Sequence, residues 1–176
     1  MLTATQKQTI KADILATPQL NAFPNNGDGA AEIAAIYNAN ASPDYWVWRA
    51  FVSDQEVYSA TSVDNTTWNW TSYIGRSQGE RDAWRQMVNM AGGYNPSLTS
   101  VRTGLADIFS GQTGSGQRTH LLAISRRKAS RGEKLFAVAT VGGSGARGSA
   151  ANPDTLTLDT QATPVTYQDI EEARIP

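Results

Sequence analysis

The fold is decided by residues 77–138, which read SQGERDAWRQMVNMAGGYNPSLTSVRTGLADIFSGQTGSGQRTHLLAISRRKASRGEKLFAV. Apolar residues recur along this stretch at the spacing of helical faces, and glycine-rich breaks separate the runs. The pattern predicts three consecutive amphipathic helices. The first carries Trp84 and Val88 on its buried face and ends at Gly92 and Gly93, since glycine commonly terminates helices.

The second and third helices of this stretch are predicted from similar signals. Asn95 before Pro96 marks the start of the second helix, because an asparagine side chain caps free N–H groups and proline fits the first turn. Residues 110–116 predict a glycine-rich break, after which the third helix runs from about Gln117 to Val138. We expect one shared core, made of these residues: Trp84, Val88, Val101, Leu105, Ile108, Leu122 and Phe136.

Capping signals predict shorter helices earlier in the chain. Thr3 with Gln6, and Ser53 with Glu56, have the capping-box spacing that satisfies free N–H groups at a helix start. The turn-forming cluster at residues 25–29 predicts another short helix, capped by the last members of the cluster. Helices of this length are not stable alone, so we expect them to pack on the central three.

Tryptophan is concentrated in a segment of different character, residues 44–75. Trp46 and Trp48 are spaced two apart, as are Trp68 and Trp70, and two is the period of a β-strand. The segment is therefore predicted to be a small insertion of strands and loops. Two interpretations of its tryptophans stay open: packing in the core, or an aromatic contact surface for another subunit, because tryptophan is enriched at interfaces.

The C-terminal part is predicted to be an arm. Residues 142–151 have the glycine-rich composition of a flexible linker. Residues 152–176 then carry apolar anchors on segments too short to fold independently, and residues 155–159 alternate like a strand that can add to a sheet edge. The anchors are Leu156, Leu158, Val165, Tyr167 and Ile170. The alternative is that this segment folds back on its own domain.

These patterns together predict the fold class. The chain has 176 residues, which suits one domain with a real core. We expect a mainly α protein, with a helical bundle core over residues 1–141 that contains the tryptophan-rich strand and loop insertion at 44–75. The linker at 142–151 and a C-terminal extended β arm at 152–176 complete the expected organisation.

Positive charge is concentrated in one place although the net charge is only -1. Between Arg118 and Lys134 the chain has six basic residues and one acidic residue. If this segment is helical, Arg127, Arg131 and Lys134 share a face, with Arg126 and Lys128 beside it. Such a face could contact DNA phosphates or dock on an acidic protein surface, and a merely solvated face is the alternative.

The composition points away from an enzyme. Cysteine is absent and His120 is the only histidine, which excludes thiolate sites and histidine clusters for metals, so we expect neither a metal nor a cofactor. The glycine-rich residues 111–116 are followed by Gln117, whereas a phosphate-binding loop requires a lysine there. We also expect no export signal and no membrane contact, because no segment has the necessary apolar length.

Six segments carry a resemblance to known proteins: residues 12–16 (ADILA), 24–38 (PNNGDGAAEIAAIYN), 41–43 (ASP), 47–49 (VWR), 101–105 (VRTGL) and 167–174 (YQDIEEAR). They resemble a family of small proteins encoded among the virion structural genes of tailed bacteriophages. The resemblance covers most of the chain and implies a virion component without catalytic residues. A helical core with a C-terminal arm is similar in architecture to head-to-tail adaptor proteins, which form a ring beneath the portal.

The leading hypothesis is therefore a non-enzymatic head-to-tail adaptor located in the virion neck and assembled in the host bacterial cytoplasm. Family analogy predicts a homo-oligomeric, twelvefold ring around the DNA channel that contacts the portal protein and a tail or nozzle protein. Packaged DNA is a further expected partner through the basic residues. Two alternatives stay open: a decoration, tail or fibre-attachment protein of the virion, or a DNA-binding packaging protein.

Overall fold

The protein is mainly α, as the sequence predicts. The computed structural model describes residues 1–89, 92–137, 147–155 and 158–175. Within these ranges, helices α1 to α10 span Ala4–Ala16, Pro18–Asn21, Gly27–Asn38, Asp54–Ser59, Trp70–Ile74, Gln78–Asn89, Thr99–Ile108, Gly111–Ile124, Arg131–Leu135 and Tyr167–Arg174. Strands β1 to β4 span Trp46–Trp48, Val52–Ser53, Gly93–Tyr94 and Arg126–Lys128.

The strands form two small sheets of two strands each. Strand β2 pairs antiparallel with β3, so that Val52 lies opposite Tyr94 and Ser53 opposite Gly93. Strand β1 lies beside β4, and an isolated parallel bridge joins Val47 to Asp154. Sheets this small cannot form a core of their own, so the helices must supply most of the buried surface.

The chain divides into two compact units rather than one bundle. Unit 1 comprises Met1–Tyr45, Lys128–Asn152 and Thr157–Pro176, and unit 2 comprises Trp46–Arg127 and Pro153–Leu156. Each unit has its own cluster of buried apolar side chains. The prediction of one shared core is therefore wrong, since Trp84 belongs to the cluster of unit 2 and Phe136 packs against that of unit 1.

Unit 1 is built from α1, α2, α3, α9 and α10. The capping box of Thr3 and Gln6 is confirmed at the start of α1. The cap of α3 is Asn26, so the last members of the cluster at 25–29 lie inside the helix and their predicted capping role is wrong. Helix α10 packs against both α1 and α3. The fully buried members of its core are Ile10, Ile14, Leu20, Ala30, Ile33, Tyr37, Val165 and Ile170.

The C-terminal segment belongs to this core, which corrects the prediction of an extended β arm. Residues 167–174 are helical, and Thr166 with Asp169 forms a capping box at the helix start. The Leu2 N–H donates to Asp169 Oδ1 at 2.9 Å, which ties the beginning of the chain to α10. The linker predicted at 142–151 lies partly outside the described residues. Within residues 147–155, Gly148 is buried against Tyr45.

Unit 2 contains α4 to α8 around an aromatic core. Trp84 is fully buried, its ring stacks on Trp68 at 5.6 Å, and Phe109 meets it edge-on at 5.5 Å. The capping box of Ser53 and Glu56 is confirmed at the start of α4. Aromatic pairs in these arrangements stabilise a core beyond the burial of their area.

The predicted starts of the second and third central helices are wrong. Residues 93–94 form strand β3, and a turn follows in which the Asn95 side chain accepts from the Ser97 N–H at 2.9 Å. Helix α7 therefore begins only at Thr99. Helix α8 begins at Gly111 and runs through the predicted break at 110–116. A Cβ at Gly114 would lie 2.4 Å from the Phe109 carbonyl oxygen, so glycine permits close approach there.

The basic segment is likewise not one helix. Helix α8 ends at Ile124, residues 126–128 form strand β4, and α9 starts after Ser130. Ser130 and Glu133 form a capping box, and the buried Glu133 carboxylate also accepts from the Thr160 N–H at 2.9 Å. A new N-cap at Ser130 is incompatible with a helix that continues through it.

Candidate functional site

The predicted helical face of Arg127, Arg131 and Lys134, with Arg126 and Lys128 beside it, is divided between β4 and α9, so that prediction is wrong. Arg126, Arg127 and Lys128 lie on β4, and Arg131 and Lys134 lie on α9. A strand directs successive side chains to opposite faces. The five residues therefore do not form the predicted helical stripe.

Three of these basic residues have a carboxylate partner in the described part of the chain. Arg126 donates to Asp64 at 2.7 Å, Lys128 pairs with Asp44 at 2.7 Å, and Arg131 pairs with Asp13 at 3.0 Å. A nearby carboxylate offsets the field that would attract a phosphate. The positive segment therefore gives less support to a DNA-facing surface than its charge alone suggests.

Trp46 and Trp48 lie on one side of β1 with the buried Val47 on the other, as their spacing predicts. Each of the two half-buried rings is covered by an arginine. The Arg126 guanidinium carbon lies 5.4 Å from the Trp46 ring centre, and that of Arg102 lies 4.8 Å from the Trp48 ring centre. These tryptophans already have cationic partners within their own chain.

Trp68 and Trp70 do not form the predicted strand, because Asn69 between them caps α5 through the Ser72 N–H at 2.9 Å. Trp68 is buried in the core of unit 2. Trp70 begins α5 and is 55% exposed. Each of the two interpretations left open by the sequence therefore applies to one of these residues: Trp68 packs in the core, and Trp70 is exposed to solvent, where a partner could contact it.

Tyr58, Trp70 and Ile74 form an exposed apolar patch on unit 2, which we call the aromatic surface. The rings of Tyr58 and Trp70 are stacked, with centres 5.4 Å apart and planes 13° apart. Ile74 lies one helical turn after Trp70, on the same face of α5. Tyr58 is 42% exposed and Ile74 64% exposed. Contacts of both rings with Trp68 fix this surface on the core beneath it.

The sequence indicates Trp70 but not its two neighbours. Tyr58 comes from α4, and its stacking on Trp70 depends on tertiary packing. Ile74 could be found from the i, i+4 spacing once Asn69 is recognised as an N-cap.

The predicted arm residues are mostly unavailable for an external contact. Val165 and Ile170 are buried in the core of unit 1, and Leu158 packs partly buried against the same core. Tyr167 is 48% exposed. Leu156 lies outside the described residues. Only Tyr167 is therefore exposed among the predicted anchors that the structure describes.

His120, the single histidine, is fully buried in unit 2. Its Nδ1 lies 3.2 Å from Thr66 Oγ1 and its Nε2 lies 3.2 Å from the Val57 carbonyl oxygen. Since a carbonyl only accepts, His120 donates the hydrogen bond from Nε2 to Val57. Both ring nitrogens take part in hydrogen bonds within unit 2, which gives this histidine a structural role.

Two properties of the part of the chain that the structure describes bear on function. No three His, Cys, Asp or Glu side chains in that part of the chain are grouped so that they could hold a metal ion. Among its helices, none has the length and apolar character needed to cross a membrane.

No protein-family model, curated protein or solved structure matches this chain.

Proposed function

We propose that this protein is a non-enzymatic structural component of a tailed-bacteriophage virion, and that the aromatic surface is a contact through which it assembles. The exposed stack of Tyr58 and Trp70 is the observation that carries the assembly role. Large aromatic side chains dominate binding energy at protein interfaces. Because these two rings already hold each other, little side-chain freedom is lost when a partner covers them. The virion setting comes from the sequence resemblance.

Within the virion, the proposed position is the neck, as a head-to-tail adaptor that forms a ring beneath the portal. Copies in a closed ring meet head to tail, so one surface of each copy contacts a different surface of the next. The aromatic surface suits one side of such a contact. The portal protein and a tail or nozzle protein are the proposed partners, and a twelvefold ring is the proposed stoichiometry.

The proposal does not require the basic residues to contact DNA. Arg126, Lys128 and Arg131 each have a carboxylate of their own chain within ion-pair distance. This arrangement favours a protein-contacting role over a DNA-binding packaging role. A decoration, tail or fibre-attachment protein would use the same aromatic surface, so the site of incorporation distinguishes it from an adaptor.

The experiment combines localisation with a matched pair of variants. Electron cryomicroscopy of purified particles should show the protein as a ring between the portal and the tail. The double variant Trp70→Ala, Ile74→Ala should fold normally but fail to enter particles. Leu15→Ala is the control, because Leu15 on α1 is 63% exposed, nearly the same as Ile74, but lies outside the aromatic surface.

Three results would count against the proposal. Absence of the wild-type protein from intact particles would refute a virion component. Normal incorporation of the Trp70 and Ile74 double variant would refute the aromatic surface as the assembly contact, while density elsewhere on the particle would favour the decoration or tail alternative.

A further inference from the structure

Unit 1 contains a cavity of about 560 Å³ that shares no residue with the aromatic surface. Its lining comes from four places: the end of α3, the segment directly after α3, helix α9, and one residue of α1. The lining residues are Asp13, Ile36, Ala39, Asn40, Ala41, Ser42, Arg131, Lys134 and Leu135. The volume falls within the roughly 300–1,000 Å³ of known small-molecule sites.

Backbone hydrogen bonds hold the walls of this cavity together. The Arg131 N–H donates to the Ala39 carbonyl oxygen at 2.8 Å, and the Ala41 N–H donates to the Ala129 carbonyl oxygen at 2.9 Å. An antiparallel bridge joins Asn40 to Ser130 between these two bonds. The segment after α3 and the start of α9 are thus fixed to each other, so a ligand would meet a preformed site.

The charges around the cavity do not cancel. Asp13 Oδ2 accepts from the Tyr37 hydroxyl at 2.7 Å and from Arg131 at 3.0 Å, so one carboxylate offsets one guanidinium. Burial and the adjacent Asp13 carboxylate raise the pKa of Tyr37, which stays a neutral donor. Lys134 Nζ donates to the Pro43 carbonyl oxygen at 3.0 Å. In the described residues this is its one hydrogen-bond partner, and a carbonyl carries no formal charge.

The remaining positive charge and the apolar walls indicate the class of ligand. An anion next to Lys134 would complete the ion pair that the described residues leave open. Because Asp13 offsets Arg131, the lining offers one net positive charge, so a singly charged carboxylate is fully paired there whereas a doubly charged phosphate keeps one charge without a partner. Ile36, Ala41 and Leu135 offer apolar surface for the rest of the ligand.

We propose that this cavity binds a monocarboxylate, with Lys134 Nζ as its ionic partner and its apolar part against Ile36, Ala41 and Leu135. The carboxylate can belong to a free small molecule or to an acidic side chain of another polypeptide. This inference does not depend on the proposed virion role, since it concerns other residues and a different kind of ligand.

The test uses hexanoate, with hexanamide as its uncharged counterpart of the same shape. Titration of the labelled full chain is followed by NMR, through the backbone amides of residues 36–42 and 131–135. Hexanoate should shift these amides and bind about tenfold more tightly than hexanamide, because a charged partner strengthens the hydrogen bond from Lys134. Hexyl phosphate as a dianion should bind more weakly than hexanoate.

The variants separate the ionic contact from general effects of charge. Lys134→Gln should lower hexanoate affinity about tenfold, and Lys134→Arg should retain most of it. Lys11→Gln is the matched control, because Lys11 Nζ also donates to a backbone carbonyl, that of Ile175 at 2.8 Å, but lies outside this cavity. Circular dichroism of each variant confirms that it is folded. The control should bind hexanoate as the wild type does.

A blocked dipeptide, N-acetyl-Leu-Asp N-methylamide, distinguishes the two sources of the carboxylate. Tighter binding of the dipeptide than of hexanoate supports an acidic side chain of a polypeptide, and the reverse supports a free small molecule. The proposal is overturned if neither probe shifts the cavity amides, if hexanamide binds as tightly as hexanoate, if hexyl phosphate binds more tightly, or if Lys11→Gln loses as much affinity as Lys134→Gln.

Discussion

Replacing Ile170 with alanine tests whether the C-terminal helix belongs to the core of unit 1. The Ile170 side chain is fully buried, among Leu2, Ile10, Ile33 and other residues of the same cluster. The substitution removes three carbon atoms, which at about 0.8 kcal/mol per buried methylene gives about 2.4 kcal/mol. The cavity left behind adds to this loss, so we expect the free energy of unfolding to fall by about 3–4 kcal/mol.

The measurement is urea unfolding followed by circular dichroism at the helical band. With a slope of about 2 kcal/mol per molar urea, the expected loss moves the unfolding midpoint of unit 1 down by about 1.5–2 M. Ile175→Ala is the matched control, since Ile175 ends the same helix but is 63% exposed. Its effect should stay within about 0.5 kcal/mol.

The size of the difference between the two variants decides the question. An arm that docks elsewhere could lose Ile170 with little change in the stability of the isolated chain. The packing argument fails if Ile170→Ala lowers the free energy of unfolding by less than about 1 kcal/mol, or by no more than Ile175→Ala does. In that case helix α10 is not part of the core.

Two further predictions concern a carboxylate and a pair of glycines. Burial alone would raise the pKa of Asp169, but hydrogen bonds from the Leu2 N–H and from Thr166 outweigh it and hold that pKa below its ordinary value. Its stabilising contribution is therefore present above about pH 4 and is lost as pH falls through the lower folded-state pKa. Asp169→Asn should destabilise the protein at pH 7 in urea unfolding, and its difference from the wild type should shrink steadily as pH falls below about 4. A difference that stays constant down to about pH 2 would contradict this. In α8, Gly114→Ala should lower the unfolding free energy by about 1–3 kcal/mol because its Cβ would meet the Phe109 carbonyl oxygen. Gly116→Ala, where nothing lies within 4 Å, should raise it by up to about 1 kcal/mol, and thermal unfolding curves that moved in the same direction for both would refute the close-approach argument.

Signals confined to a few neighbouring residues could be predicted from the sequence. The capping boxes at Thr3 and Ser53 are confirmed because both partners of each box lie three residues apart and need nothing else. The predicted break at 110–116 fails because low helix propensity is a weak signal, and α8 begins at Gly111 in spite of it. Glycine is also needed inside α8, since a Cβ at Gly114 would meet the carbonyl oxygen of Phe109, the C-cap residue of α7.

The predicted basic face fails because it assumed a single helix. The spacing of Arg127, Arg131 and Lys134 suggests one face only if the segment is a single helix, and the local cap at Ser130 ends that assumption. The partner of Arg131 is Asp13, which is 118 residues away in the chain. No periodicity could reveal that pairing, so the lining of the cavity was not predictable. The end of the helical face, in contrast, has a local signal, because Ser130 and Glu133 lie at the capping-box spacing.

The discontinuity of unit 1 has a consequence for biosynthesis. Residues 46–127 form most of unit 2 as one continuous segment, whereas unit 1 needs α1 and α3 from before this segment and α10 from after it. Domains generally fold as they leave the ribosome. Unit 2 can therefore fold while the later part is still being translated, whereas α1 and α3 keep an uncovered apolar face until α10 emerges. During that interval a chaperone has a defined target: the hydrophobic surface that Ile170 later covers.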